Sequence, residues 1–435
     1  MTGNVSSRLQ WPSSRAEIEK IQNIRKRRAV ELAMRAPFFR DRLKGIRLDH
    51  LDEPEEWTKI PLLTKDQLRQ IPTDQFHAQF CVAPRRDVVE YWRSGGVTGK
   101  PLFYPRSFED MEYSILCFAR AFDVVGATPE DMVHISFPLG IHPVAHLYAR
   151  AAEGLGIGTI WCGSGSNTPS LTQLELIRDL KPTIWAGMGS YGLHLANLAE
   201  AQGFDLSKSS VKQIIVAAEP LSPAKRQKLE RSWGAEVSDQ FGMTEGALIS
   251  VQSPRHDGLH VWSDLFFCEV VDENTGLPVP EGEVGTMAMT ALCNNNVTPF
   301  LRWNSGDLIS MKPGGHGDGP WSMFPVMQHA RRTVGFFKVR GVNINHNELE
   351  DLLFYNPDVQ DFKAEVHATD SGLDVLKLLI EPRRDISDDA LRAEVNAKVQ
   401  KTFEVTPEII FLERGTLGKE FEASIKAARF VDKRG

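Results

Sequence analysis

The sequence has 435 residues, a formal net charge of −7 and a charged fraction of 25%. A chain of this length is expected to form two or three domains, and its negative charge argues against a nucleic-acid partner. Its apolar runs are far shorter than the roughly 20 residues of a membrane-spanning helix, so no membrane partner is expected.

The five cysteines are scattered and form no Cys-x-x-Cys pair; they are Cys81, Cys117, Cys162, Cys268 and Cys293. This pattern favours reduced thiols over disulfides or a zinc knuckle. The N-terminal residues MTGNVSSRLQWPSS are polar and lack the apolar core of a signal peptide. Both observations predict a cytoplasmic protein.

A charged amphipathic pattern over residues 16–43 predicts a helix that begins after the capping candidates Ser13 and Ser14. From about residue 88 to 290, short apolar runs alternate with helical patterns, which is typical of an α/β fold with a largely parallel sheet. Strands are predicted at 132–137, 157–162, 183–188 and 211–218, and helices at 170–180 and 222–233.

Residues 258–310 predict a more antiparallel β portion, and 312–320 form a Gly/Pro-rich loop. After about residue 333, short strands alternate with helices, one of them at 387–403, which predicts a small α+β domain. The expected fold class is therefore α/β. A large N-terminal domain, 1–332, holds mainly parallel sheets flanked by helices plus a β subdomain, and 333–435 form a small α+β lid domain.

Residues 93–101, RSGGVTGKP, have the composition of a phosphate-binding loop, with glycines, hydroxyl donors and a lysine. The loop fails the spacing of nucleotide hydrolases, because Ser94 stands at the first glycine position and Pro101 follows Lys100. An ordinary Gly-rich turn is the alternative interpretation. The residues expected to surround phosphate are Ser94, Gly95, Gly96, Thr98, Gly99 and Lys100.

Four later segments follow this loop in order: DQFGMTEG (239–246), LRWNSGDL (301–308), RRTVGFFKVRGVNINHNELE (331–350) and IKAARFVDKR (425–434). Together they resemble the acyl-adenylate-forming superfamily of acid–CoA ligases, luciferases and carrier-linked adenylation domains. Further stretches, such as PFFRDRL, IPLLTKDQLR, FYPRSFEDM and AAEPLSPAKRQKLE, make the chain most similar to the phenylacetate–CoA ligase branch.

The resemblance implies that loop 94–100 cradles the β- and γ-phosphates of ATP. It also implies an adenine-binding turn at Ala218, Glu219 and Pro220, and an adenine-stacking ring at Phe241. Without the resemblance, the turn reads as a helix start capped by Ser222, and Phe241 reads as a core residue.

The remaining nucleotide contacts are implied in the same way. Thr244 and Glu245 match the pair that touches the α-phosphate and Mg²⁺, a cation that usually takes one or two protein carboxylates. Asp307 matches the carboxylate that accepts hydrogen bonds from both ribose hydroxyls, although Gly-Asp turns are common. Arg332 matches a hinge residue that contacts the ribose or the α-phosphate.

Two residues of the C-terminal part are implied to act in different half-reactions. Lys426 matches the lysine that reaches the attacking carboxylate and the α-phosphate during adenylation, with Lys419 as its competitor. Gly341 matches a glycine on the strand that lines the pantetheine tunnel of coenzyme A, where backbone would approach the ligand closely.

The chain also departs from the family pattern. Gly95 and Val97 remove two hydroxyl donors from the phosphate loop, and Val334 or Gly335 replaces the usual acidic hinge residue. The cysteines of a structural zinc cluster found in many relatives are missing, so no zinc is predicted. The histidines at 256, 260 and 316 are expected to be surface or loop residues.

The acid-binding pocket is expected around FPLGIHPVAH (137–146), CGSGSN (162–167) and GMGSYG (187–192). Phe137, Ile141, His142 and Trp185 are its candidate lining, with a structural role for His142 as the alternative. Apolar walls suit an aromatic or branched acid.

The predicted activity is an AMP-forming acid–CoA ligase that uses ATP, Mg²⁺ and coenzyme A on an aryl or arylacetic acid. The alternatives are a ligase for a short branched or hydroxy acid, an adenylating enzyme that serves a carrier protein or an amine, and a non-catalytic nucleotide-binding relative. The resemblance also makes a homodimer plausible.

Overall fold

The structure is a computed structural model that describes residues 9–93, 102–314, 319–332, 335–368, 374–383, 387–424 and 427–434, with only the backbone of 330–332. The chain divides into two compact units. The first unit comprises Met1–Asp131, Leu139–Thr159 and Ser238–Thr333, and the second comprises Met132–Pro138, Ile160–Val237 and Val334–Gly435.

The first unit contains most of the N-terminal helices and the antiparallel strands. Its helices are α1 (Arg15–Ala33), α2 (Pro54–Trp57), α3 (Lys65–Arg69), α4 (Phe76–Phe80), α5 (Phe108–Val124) and α6 (Val144–Leu155). Its strands are β1 (Val88–Arg93), β2 (Phe103–Ser107), β7 (Glu236–Met243), β8 (Ala247–Gln252), β9 (Leu259–Val261), β10 (Phe266–Val271), β11 (Gly285–Ala291), β12 (Trp303–Lys312) and β13 (Val326–Arg332). Strand β4 (Gly158–Trp161) lies where the two units divide.

The second unit alternates strands and helices in both of its parts. Its strands are β3 (Met132–Ile135), β5 (Ile184–Gly187), β6 (Gln213–Val216), β14 (Phe336–Val339), β15 (Val342–Asn345), β16 (Val359–Ala368), β17 (Asp374–Pro382), β18 (Glu408–Phe411) and β19 (Phe430–Asp432). Its helices are α7 (Ser170–Leu180), α8 (Gly189–Ala201), α9 (Pro223–Trp233), α10 (His346–Phe354), α11 (Asp388–Phe403) and α12 (Lys419–Ala423).

In the first unit the sheet order is β10-β11-β12-β13-β9-β8-β7, and each neighbouring pair is antiparallel. Every residue of β11 is buried, so both faces of this strand, which lies between β10 and β12, are covered. Strands β1 and β2 pair separately, with Arg93 opposite Phe103. The phosphate-loop candidate 94–101 lies between these two strands and outside the described residues.

In the second unit β3, β5 and β6 are parallel, with β5 in the middle. All four residues of β5 are buried, as expected for a parallel strand covered on both faces. The C-terminal part of this unit has a four-stranded sheet in the order β18-β17-β16-β19. Its apolar core includes Leu349, Leu353, Leu376, Leu378 and Val395.

Side-chain caps determine where several helices begin. Ser14 accepts a hydrogen bond from the backbone N–H of Glu17 and caps α1, as the sequence predicts. Ser107 and Asp110 form a reciprocal capping box on α5. Ser222 caps α9, which has Pro223 at its first position.

The α/β fold class is confirmed. Helix α7 coincides with the predicted helix 170–180, whereas α1 ends at Ala33 rather than near 43, because Pro37 follows and opens a separate 3₁₀ turn. All five cysteines lie among the described residues, where each is buried and none forms a disulfide. The boundary at 332/333 between two domains stays a prediction.

Candidate nucleotide-binding site

In the first unit, His329 of β13 connects two of the predicted nucleotide contacts. Its ring centroid is 5.4 Å from that of Phe241 on β7. Its Nε2 atom lies 3.4 Å from Oδ1 of Asp307 on β12. An aromatic face and a carboxylate therefore stand on the two sides of one imidazole, the two kinds of group that an adenine and a ribose would need.

Asp307 occupies a different local structure from the one expected. The sequence suggests a glycine turn after a strand, whereas Asp307 lies inside β12 and faces Arg332 of β13 in the strand register. Gly306 has a φ of +75° and the register shifts between Leu308 and Ile309. This β-bulge re-aims the strand, as bulges beside binding sites commonly do.

Phe241 also lies inside a strand rather than after one. The next glycine explains the tight turn that follows, because a Cβ atom at Gly242 would lie 2.4 Å from the carbonyl oxygen of Ala247. The turn between β7 and β8 carries Thr244 and Glu245. Phe241, the predicted adenine-stacking residue, therefore lies near the end of β7. Thr244 and Glu245, the predicted phosphate and metal contacts, follow in the turn at the same end.

Two side chains of β2 fix Thr244 and Glu245. The hydroxyl of Tyr104 donates a hydrogen bond to Glu245 Oε1 at 2.7 Å. The buried guanidinium of Arg106 donates to the carbonyl oxygens of Thr244 and Glu245 at 2.8 and 2.6 Å, and it stacks 4.6 Å from the Trp92 ring. Burial lowers the pKa of Arg106. These hydrogen bonds fix the conformation of the turn between β7 and β8.

Glu245 fits the role of a single carboxylate ligand for Mg²⁺. Its Oε1 atom is held by Tyr104, which fixes the orientation of the carboxylate. One such carboxylate is typical of Mg²⁺ that arrives on substrate phosphates and keeps several waters. Among the described residues, no group of three or more histidine, cysteine, aspartate or glutamate side chains is arranged to hold a metal.

The predicted adenine turn belongs to the second unit. Ala218 has a φ of +70°, in the left-handed region that favours glycine. Glu219 accepts hydrogen bonds at 2.6 and 2.7 Å from the backbone N–H and the hydroxyl of Ser190, at the start of α8. Strained backbone at a turn fixed by a carboxylate is a common feature of ligand-binding sites.

The acid-pocket candidates divide between the units. In the second unit Phe137 and Trp185 are fully buried. Trp185 packs on Trp233 with ring centroids 5.3 Å apart, and a Cβ atom at Gly187 would lie 2.5 Å from the indole. Trp185 thus packs in the core of the second unit, and its pocket-lining position stays a prediction.

The other two pocket candidates lie in the first unit. The side chain of Ile141 is 43% exposed, and its carbonyl oxygen accepts a hydrogen bond from the backbone N–H of Arg93 at the end of β1. His142 is half-buried. Both residues are accessible to a small molecule.

A buried glutamine shapes the predicted pocket turn 162–167. The Gln173 amide oxygen accepts hydrogen bonds from His134 Nε2 at 3.1 Å and Ser136 Oγ at 2.8 Å. Its nitrogen donates to the carbonyl oxygens of Gly163 and Thr168, both at 2.9 Å. All four hydrogen-bonding positions of the amide are used, so the turn is tied to the end of β3.

Two further expectations need correction. Gly341 has a φ of +85° and forms a two-residue hairpin turn with Arg340, also at positive φ, so it lies between β14 and β15 rather than on a strand. His260 is a buried β9 residue rather than a surface one, because β9 pairs inside the sheet. His256 lies in an exposed loop as expected, and residue 316 lies outside the described residues.

The two lysine candidates are described to different extents. Lys419 is exposed at the first position of α12, whereas Lys426 lies outside the described residues. Helix α12 packs through Phe421, whose ring stacks 5.1 Å from His194 at an interplanar angle of 19°. Glu422 Oε1 lies 3.5 Å from His194 Nε2. Arg332 is described only in its backbone.

Comparison with known proteins shows which proteins the chain resembles. The model for "AMP-binding enzyme" matches residues 96–292, which include the predicted adenine turn, Phe241 and Glu245. A phenylacetate-coenzyme A ligase of Aromatoleum evansii is 28% identical over 90% of this chain and 88% of the relative. The chain is therefore similar to the phenylacetate–CoA ligases of the adenylate-forming superfamily. The resemblance inferred from the motifs is thereby confirmed.

Two further comparisons agree with this family. The phenylacetate-coenzyme A ligase of Thermus thermophilus is 29% identical over 88% of this ligase-like chain and 86% of its own length. A solved structure of 2-hydroxyisobutyryl-CoA ligase in the postadenylation state has a TM-score of 0.85 at 22% identity, and the match covers 98% and 91% of the two chains. The structural match shows that the fold is shared.

Several residues of this ligase-like site were missed by sequence reasoning. Tyr104 and Arg106 belong to a stretch that resembles the family, FYPRSFEDM, but they were given no role. His329 lies three residues before Arg332 and carried no motif signal.

None of the described helices is long and apolar enough to cross a membrane.

Proposed function

We propose that this protein is an AMP-forming carboxylic acid–CoA ligase. The observation that carries the proposal is the arrangement of Phe241, His329 and Asp307, which provides a stacking face and a ribose-binding carboxylate inside a family of adenylate-forming enzymes. Full-length relatives named as phenylacetate-coenzyme A ligases support the acid and coenzyme A as co-substrates.

In the first half-reaction the acid carboxylate attacks the α-phosphorus of ATP, and pyrophosphate leaves. Loop 94–100 holds the departing phosphates through backbone N–H groups and Lys100. Glu245, oriented by Tyr104, would hold Mg²⁺, whose charge offsets that of the phosphate oxygens. Lys426 stabilises the negative charge that develops between the carboxylate and the α-phosphate.

In the second half-reaction the coenzyme A thiol attacks the acyl carbonyl carbon, and AMP leaves. The proposed lid, residues 333–435, rotates about the hinge near Arg332 between the two steps. Rotation removes Lys426 from the reacting centre and brings the β14–β15 hairpin, with Gly341 in its turn, towards the pantetheine arm.

The proposed substrate is an aryl or arylacetic acid. In the first unit, Ile141 and His142 are accessible to a small molecule, and Phe137 is the apolar candidate of the second unit. An aromatic ring suits apolar walls, while a few polar groups orient the carboxylate.

The test is AMP formation across a panel of aryl, arylacetic, short branched and hydroxy acids, with ATP, Mg²⁺ and coenzyme A. We expect AMP release that depends on both the acid and coenzyme A, and Asp307→Ala serves as the matched inactive variant. Acid-dependent ATP–pyrophosphate exchange without coenzyme A-dependent AMP release would favour transfer to a carrier or an amine. ATP binding with no exchange for any acid would contradict the proposal.

We further place the protein in the cytoplasm, as a homodimer. Reduced, buried cysteines are typical of that compartment. Light scattering of the purified chain tests the dimer, and a monomer at micromolar concentration would contradict it.

A further inference from the structure

Five charged side chains of alternating sign form a continuous chain in the second unit. Lys225 Nζ lies 3.4 Å from Glu219 Oε1 and 3.0 Å from Glu350 Oε1. Arg429 Nε lies 3.5 Å from the same Glu350 oxygen, and its guanidinium also pairs with Asp361. Each interior member of the chain thus contacts opposite charges on two sides.

The centre of this chain is removed from water. Lys225 and Glu350 are only 4% and 2% exposed. Burial by itself would lower the pKa of Lys225, but the carboxylates of Glu219 and Glu350 outweigh it and raise that pKa. The lysine therefore stays charged, and its partners offset a desolvation cost that would otherwise be several kcal/mol.

The chain links two elements that have separate roles in the predicted reaction. Glu219 lies in the predicted adenine turn, and Lys225 also donates a hydrogen bond to the carbonyl oxygen of Pro220 in that turn at 3.0 Å. Arg429 follows the predicted adenylation lysine, Lys426, by three residues. Glu350 lies on α10 between the two.

Further contacts of α9 join the same elements. Asp351 of α10 accepts a hydrogen bond from the backbone N–H of Ala224 at 2.8 Å. Lys228, one turn after Lys225, donates to the carbonyl oxygen of Val359 at 3.0 Å and to that of Gln360. Helix α9 therefore bonds to the C-terminal part of the unit through both of its buried lysines.

We propose that Lys225 is a positioning residue that fixes the predicted adenine turn relative to Glu350 of α10 and to Arg429, which follows Lys426 by three residues in the sequence. The inference rests on the proposed function. Adenylation needs nucleotide and lysine in one geometry, and small displacements of reacting groups reduce rates steeply. Thioester formation uses Gly341 instead and does not need this arrangement.

The same chain of charges explains how the C-terminal part can separate from the predicted adenine turn after adenylation. Rotation of the C-terminal part separates Lys225 from Glu350, while Glu219 keeps its two bonds to Ser190. The lysine then remains paired within the adenine turn, and Glu350 remains paired with Arg429. Neither Lys225 nor Glu350 is therefore left without an opposite charge, which would cost much more.

The experiment compares Lys225→Met and the isosteric Glu350→Gln with wild type and with Lys208→Met. Lys208 forms an exposed ion pair with Asp205 in the same unit, so its loss should have little effect. We expect a fall of about tenfold or more in ATP–pyrophosphate exchange for both test variants, as for breaking a buried pair. Thioester formation from supplied acyl-AMP should stay within about twofold of wild type, since that step does not use Lys426.

Two measurements distinguish this proposal from a merely structural role and from failure of the proposed function. ATP affinity by calorimetry should fall, and ATP should protect residues 425–434 from trypsin in wild type but not in the variants. Both readouts need no turnover. Two results would overturn the role of Lys225. One is an equal loss of rate in both half-reactions that parallels the fall in the thermal unfolding midpoint. The other is unchanged ATP affinity with unchanged protection of residues 425–434 from trypsin. An absence of exchange in the wild type would instead contradict the ligase function.

Discussion

Nε2 of His329 lies 3.4 Å from Oδ1 of Asp307, and the same ring contacts Phe241. The carboxylate is almost fully buried, whereas the imidazole is 21% exposed. Of this contacting pair, His329 is the accessible residue and Asp307 is the buried one. A nucleotide that binds beside Phe241 would therefore touch the imidazole.

Replacing His329 with alanine should weaken nucleotide binding more than catalysis. The change removes the ring that packs on Phe241 and contacts Asp307, a loss of about 1 kcal/mol, as for one aromatic pair. KM for ATP should rise about fivefold, with kcat within about twofold. Steady-state kinetics test this, with His50→Ala as a control at a half-buried histidine of the same unit. A fall in kcat at unchanged KM would contradict the assignment.

Ala218→Gly should stabilise the protein and impair nucleotide binding. Glycine adopts a φ of +70° without strain, so the free energy of unfolding should rise by up to about 1 kcal/mol. The looser adenine turn should raise KM for ATP. Chemical denaturation and kinetics measure the two effects. Ala199→Gly, inside α8, is the opposite-sign control and should lose about 1 kcal/mol. Lower stability of Ala218→Gly would contradict the strain argument.

Tyr104→Phe should alter the Mg²⁺ requirement. Loss of the hydroxyl that holds Glu245 Oε1 should cost about 1 kcal/mol of stability and leave the carboxylate free to turn. The Mg²⁺ concentration for half-maximal activity should therefore rise. Tyr113→Phe removes a hydroxyl that accepts from Arg25 in the same unit and should leave that concentration unchanged. The same Mg²⁺ titration curve for Tyr104→Phe and wild type would rule out the metal role of Glu245.

Lys426→Met and Lys419→Met should separate the two lysine candidates. Lys426→Met should lower ATP–pyrophosphate exchange by about a hundredfold, as for loss of a group that stabilises developing charge, while thioester formation from supplied acyl-AMP persists. Lys419 is exposed at the start of α12, so its variant should behave like wild type. The reverse outcome would transfer the adenylation role to Lys419.

His134 should make the fold sensitive to acid. Burial lowers its pKa to about 4, whereas the unfolded chain takes up the proton near pH 6.5. Between these values the unfolded state binds more protons, so stability falls as the pH drops from 6.5 to 4. His134→Gln should reduce this fall by on the order of 3 kcal/mol. His346, whose pKa burial also lowers to about 4, contributes in the same direction, as do His194 and His260, whose pKa values burial lowers as well. Equal slopes for variant and wild type would contradict the assignment.

The sequence predicted local elements better than long-range contacts. Helix α7 follows from its apolar spacing, and the cap of α9 follows from Ser222 and Pro223, because both depend on neighbouring residues. The contact of His329 with Asp307 depends on how β12 and β13 pair, which no local pattern encodes. The expected surface or loop position of His260 is wrong for the same reason, since burial is decided by distant chain segments.

The family motifs identified the parts of the site whose role is carried by residue type, such as Phe241 and Glu245. They could not identify Lys225, because a lysine within PAKRQKLE looks like an ordinary exposed charge until its buried partners are known. The phosphate loop and Lys426 remain predictions.

Because all five cysteines are buried, the rate of thiol alkylation reports the rate at which the protein unfolds. Burial raises the pKa of Cys81, Cys162 and Cys293 to about 12, and that of Cys117 and Cys268 further still. Because the thiolate is the reactive form, alkylating reagents should label the native protein very slowly. Labelled fractions resolved by peptide mass then report which unit opens first, through Cys162 for the second unit and the other four for the first.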